Sequence, residues 1–127
     1  MPRTTVNYTN FAPNSHIADT AGTTIDAALV TNGVAISNAD PEHTVLRVTN
    51  TATTAKTVTV KAGTGTQSWM AGQGDLAAQV AANTGVRFIG PFTSARFQQA
   101  PGSALHVNFE AGFTGTITVF RVPKAWN

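Results

Sequence analysis

The sequence has no cysteine in its 127 residues, which excludes a disulfide-stapled scaffold and thiolate metal sites. Charge is scarce too. Asp, Glu, Lys and Arg make up 11% of the chain, against about 25% in an ordinary soluble domain. The 42% apolar content argues against disorder, which pairs high charge with few apolar residues. Eight Lys and Arg against six Asp and Glu leave a net charge of +2, too little for the basic footprint of a nucleic-acid binder. No apolar run approaches the roughly 20 residues of a membrane span. The opening Met1-Pro2-Arg3-Thr4-Thr5 lacks the apolar core of a signal peptide. The length fits one domain, residues 1–127, burying about 66% of the unfolded chain's surface.

Threonine is what the chain has in abundance, with 21 residues. It is β-branched and tolerates water on the outer face of a strand. It recurs in short alternating runs. Thr57 to Ala62 places Val58, Val60 and Ala62 on one face, with Thr57, Thr59 and Lys61 on the other. Leu105 to Glu110 turns Leu105, Val107 and Phe109 inward and His106 outward, and Thr116 to Arg121 buries Ile117 and Val119. Residues 110–115 between these two runs read as a hairpin loop, and residues 50–55 as a turn pairing Val45–Thr49 with Thr57–Lys61. Further strands are expected at Thr4–Tyr8, Leu76–Val80, Val86–Ile89 and Ala95–Gln98. Thr24–Leu29 reads as a strand or a short helical turn, and Asn10–Gly22 as a loop or extended arm. Strands at this spacing predict an all-β fold, an antiparallel β-sandwich.

No catalytic set emerges. The acids Asp19, Asp26, Asp40, Glu42, Asp75 and Glu110 fall in or beside loops and strand ends, and no pair is placed across a cleft. Glu110 reads as a solvated surface charge. His16, His43 and His106 have no metal-ligand spacing. No serine sits in a Gly-x-Ser-x-Gly elbow, and Gly63-Thr64-Gly65 lacks the lysine that closes a phosphate loop. The sequence therefore predicts no enzyme, no metal and no cofactor. Phe88, Phe97 and Phe109 are expected to fill the core. Trp69, flanked by glycine-rich segments, either caps one end of the sandwich or stands out as a stacking platform for a glycan, with Gln67 and Gln73 near it.

Several segments carry a resemblance. They are Pro2-Arg3-Thr4-Thr5-Val6-Asn7, Leu46-Arg47-Val48-Thr49-Asn50-Thr51, the run Thr57 to Gly63, and Ala71-Gly72-Gln73-Gly74-Asp75-Leu76. Gly90 to Phe97, Ala111 to Ile117 and Phe120 to Lys124 complete the set. In these the chain resembles the small head decoration (auxiliary capsid) proteins of tailed bacteriophages. The motifs are turns and strands, and no site motif carries over. The resemblance is weakest over residues 10–39. It implies a jelly-roll-like sandwich on the outer surface of the virion's capsid, bound to the major capsid protein, commonly as a homotrimer. Nucleic acid and membrane are not implied as partners.

On this reading the chain ends, with Pro2, Arg3, Thr4, Lys124 and Trp126, are the expected capsid or inter-subunit contacts, because a partner orders termini readily. The neutral threonine surface costs less to desolvate than one made of ions. With only three lysines to guard strand edges, the chain suits life packed against neighbours. The alternative is a glycan- or host-surface-binding module of a phage head or tail fibre, with Trp69 as the ligand contact.

Overall fold

The computed structural model describes residues 3–122, apart from 13, 20, 38, 65–68 and 100–103. Two five-stranded sheets pack face to face as an all-β sandwich. The first sheet has the order β1 (Thr4–Thr5), β4 (Val34–Ile36), β9 (Leu105–Phe109), β6 (Lys56–Val60), β7 (Leu76–Val80). The second has the order β2 (Tyr8–Asn10), β10 (Thr116–Arg121), β5 (Thr44–Asn50), β8 (Gly85–Ile89), with β3 (Thr23–Thr24) also beside β10. The interior follows from period-two alternation. Val34, Ile36, Val58, Val60, Val80, Leu105 and Val107 face Leu46, Val48, Ile117 and Val119, all buried. Burying each such side chain contributes about 1.5–3 kcal/mol.

The ends of the core are closed by other elements. Helix α1 (Ala27–Asn32) inserts Leu29, and its N-cap Asp26 accepts a hydrogen bond from the Leu29 amide at 2.9 Å. Phe113 packs edge-on against Phe109, with ring centroids 5.1 Å apart, at the same end. At the opposite end Phe92 meets Phe97 at 5.5 Å. There the Asp40 amide donates to the Tyr8 hydroxyl at 2.9 Å, Tyr8 and Thr44 share a hydroxyl bond at 2.6 Å, and Thr44 donates to the Asp40 carbonyl at 2.7 Å. This closed ring satisfies the buried Thr44 hydroxyl.

Most strand pairs are antiparallel, but β1 runs parallel to β4 and β2 parallel to β10. Both exceptions lie in residues 4–10. That segment enters along the first sheet, turns Val6 into the core, and resumes along the second. The expected single strand Thr4–Tyr8 is thus two short ones, which seal one side of the sandwich. On the other side the edge strands β7 and β8 are joined by residues 81–84, and Arg87 Nε donates to the Gln79 carbonyl at 3.1 Å. Among the described residues of 11–22 there is no helix or strand.

Four further sequence expectations are corrected. Val45–Thr49 does not pair with Thr57–Lys61, and Leu105–Glu110 does not pair with Thr116–Arg121. In each case the two strands join different sheets, so the intervening loops are crossovers. Five or six residues suffice to cross the roughly 10 Å between sheets. Residues 95–98 are not a strand, because Ser94–Phe97 is a single helical turn, α2. The Ser94 amide is held by Glu42 Oε2 at 2.7 Å, and the Arg96 guanidinium lies 4.7 Å from the Phe97 ring centroid. A four-residue run is too short to separate a period of 2 from one of 3.6. Finally, Phe88 is not core. Register places it opposite Arg47 on the outer face, where it is 66% exposed.

Candidate interaction surface

The outer face of the first sheet is built from the alternate residues that the core does not use. Thr5 (β1), Ala35 (β4), His106 and Asn108 (β9), Thr57 and Thr59 (β6), and Ala77 and Gln79 (β7) share this face by register. No acid is among them. Arg3 lies at its β1 border, with Nη1 donating to Asn108 Oδ1 at 2.6 Å, to the Val107 carbonyl at 3.3 Å and to the Val34 carbonyl at 3.4 Å. Gly33, at φ +79°, leaves the space that this guanidinium fills, and a Cβ there would overlap Nη1. Burial lowers the Arg3 pKa from its ordinary value. The His106 imidazole is also held below its ordinary range, first by burial and then by the Arg3 charge. The face is therefore rich in hydroxyl and amide groups, with its charges at the borders: Arg3, Glu110 and the Lys61–Asp75 pair.

The outer face of the second sheet is partly covered by its own chain. Phe11 stacks on Phe120 at 5.1 Å, and Asp19 pairs with Arg47 at 3.7 Å. Threonines pair across this region: Thr49 with Thr116 at 2.8 Å and Thr51 with Thr114 at 2.9 Å. What stays open is β8, where Val86 (42% exposed) and Phe88 (66%) project side by side. The sequence pattern missed this pair. In Val86-Arg87-Phe88-Ile89 either parity places an apolar group inward, Val86 with Phe88 or Ile89, and only pairing with β5 decides which.

The acids serve as local fasteners. Asp26 caps α1, Glu42 caps α2, and Glu110 accepts from the Thr57 amide at 2.9 Å beside Lys56. Asp75 accepts from the Ala62 amide at 2.6 Å and from Lys61 at 2.7 Å, and these contacts lower its pKa, the amide contributing most. Among the described residues no group of three His, Cys, Asp or Glu is placed to hold a metal ion. No helix among them is long and apolar enough to cross a membrane.

Of the sequence-derived interface residues, Arg3 and Thr4 are engaged within the sheet, the Thr4 amide donating to the Gly33 carbonyl at 2.9 Å. Pro2, Lys124 and Trp126 lie outside the described residues, as does Gln67. Trp69 does not cap the sandwich. It is 78% exposed, in a turn that the Met70 amide ties to the Ala95 carbonyl at 2.8 Å. No family model, curated protein or solved structure matches the chain.

Proposed function

We propose that this chain is a non-enzymatic decoration protein of a tailed-bacteriophage head, binding the major capsid protein at capsomer junctions on the outer surface and stiffening the shell. The observation that carries the reading is the outer face of the first sheet, bearing Thr5, Thr57, Thr59, His106 and Asn108, with its acids Glu110 and Asp75 confined to the borders and each beside a lysine. Such a face gives up its water at low cost and offers hydroxyl and amide partners across a broad area. The exposed Val86 and Phe88 supply an apolar anchor on the other sheet. The resemblance of the strand and turn motifs supplies the capsid context. Contacts repeated within a homotrimer multiply modest affinities into firm attachment.

The test is co-sedimentation of the purified protein with undecorated heads. Several hundred copies per head are expected for a decoration protein. The double substitution Thr57→Lys, Thr59→Lys should abolish attachment while the fold persists. Attachment at one vertex only, or undiminished binding by that variant, refutes the reading. The exposure of Trp69 favours one alternative, a glycan-binding module of head or tail fibre. Glycan-array binding that vanishes with Trp69→Ala is its signature.

A further inference from the structure

An open groove of about 350 Å³ lies between α1 and the loop 111–114. Its floor is Ile25, Val30 and Phe113, and the exposed Asp26 is its one charged lining residue. The space is at the lower end of the roughly 300–1,000 Å³ typical of binding pockets, and it suits one large apolar group. We propose that this groove receives residues 124–126 of a second copy of the chain, with the Trp126 indole on the apolar floor and the Lys124 ammonium facing Asp26.

Three observations select this occupant. The first is chemistry: Lys124-Ala125-Trp126 combines a cation with the largest apolar side chain, matching a groove that combines an acid with an apolar floor. Trp69, the other tryptophan, has no basic residue within four positions.

The second is reach. The groove sits beside the Thr116 end of β10, because residues 111–114 lead into that strand. The chain leaves β10 at the opposite end, where the Val122 amide donates to the His43 carbonyl at 2.7 Å. Thr116 and Val122 are separated by six residues of extended chain, about 20 Å. Trp126 follows Val122 by four residues, a span of at most about 14 Å. Even a fully extended segment folding straight back along β10 would leave the Trp126 Cα about 6 Å short of Thr116, so a neighbour's groove is the readier acceptor.

The third is symmetry. The contact joins one end of a copy to the opposite end of another, so a closed ring such as a trimer, or a reciprocal pair, can repeat it with every segment and groove used. The contact needs no shell. Its failure leaves the decoration reading standing, and failure of shell attachment leaves this contact standing.

The absence of cysteine makes the test clean. Thr31→Cys, in the groove wall, is prepared in one batch and Ala125→Cys in another. The two are mixed, oxidised and resolved on a non-reducing gel. A cross-linked pair is expected, in at least tenfold higher yield than with Gln79→Cys on the edge strand β7. Adding Trp126→Ala to the Ala125→Cys chain should lower the yield tenfold. Asp26→Asn, which preserves the helix cap, and Lys124→Gln should each lower it severalfold, and Trp69→Phe should not change it. Sedimentation over a concentration series should show association by the parent chain and a monomer for Trp126→Ala. A yield independent of Trp126, loss with Trp69→Phe, or an intramolecular disulfide in the chain carrying both cysteines would each overturn the proposal.

Discussion

The Arg3 guanidinium donates to the Asn108 side-chain oxygen at 2.6 Å, across 105 positions of sequence, and so ties the first strand to the middle of its sheet. β1 has only two residues and a single neighbour, so its ladder alone holds it weakly. A hydrogen bond to a charged group contributes about 1.5–3 kcal/mol. Arg3→Ala is expected to lower unfolding stability by about 1–2 kcal/mol in urea. A cycle with Asn108→Ala should return a coupling near 1 kcal/mol. Additive effects of the two substitutions would show that the bond contributes nothing.

Asn50 is fully buried at the end of β5 and uses both halves of its amide. Nδ2 donates to the carbonyls of Thr54 (3.1 Å), Val80 (3.1 Å) and Ala81 (3.2 Å), and Oδ1 accepts from the Ala52 amide at 2.9 Å. It thereby clamps the turn 51–54 to the last residue of β7. Asn50→Ala strands these backbone groups and should cost about 3 kcal/mol, read as a lowered urea midpoint with an unchanged slope.

Acidification should weaken the fold in two windows. His106 has a lowered pKa in the folded state, so the unfolded chain binds its proton first. The associated stability is complete above about pH 6.5 and is lost as the pH falls through the folded value. Asp75 is lowered too, by the Ala62 amide first and then by Lys61, and its contribution is lost below about pH 4. His106→Asn should flatten the dependence of the urea midpoint just below about pH 6.5, and Asp75→Asn should flatten only the more acidic part. The Asp75 effect should be small and should shrink in salt, since solvent screens its carboxylate.

Phe88 stands on the outer face of an edge strand, so its substitution separates stability from attachment. Phe88→Gln should change unfolding stability by no more than about 0.5 kcal/mol. On the proposed function, its occupancy on heads should fall at least tenfold. Unchanged occupancy would remove β8 from the interface.

The candidate surface was only partly legible. Alternation turned Thr57, Thr59 and His106 outward, and the structure keeps them there. Their meeting with Arg3 and Asn108 on one face was not legible, because β1, β6 and β9 are adjacent to or one strand from β4 only through long-range pairing. The groove was hidden for the same reason: residues 25–31 and 111–114 come together only when α1 closes the end of the sandwich.

The sequence by itself determined that this chain is built of strands and which residues of most strands face inward. Val58 and Val60, Leu105, Val107 and Phe109, and Ile117 and Val119 were assigned to the core by alternation, and all are buried. Side-chain parity is a local property of an extended chain, readable from a few neighbours. Only the tertiary structure decided the partners. It sent Val45–Thr49 and Thr57–Lys61 to different sheets, turned Phe88 to solvent, and drew residues 4–10 into both sheets as parallel strands. Parity distinguishes the two faces of a strand but carries no label for its neighbour. That choice is made by the whole core at once, through packing across the two sheets.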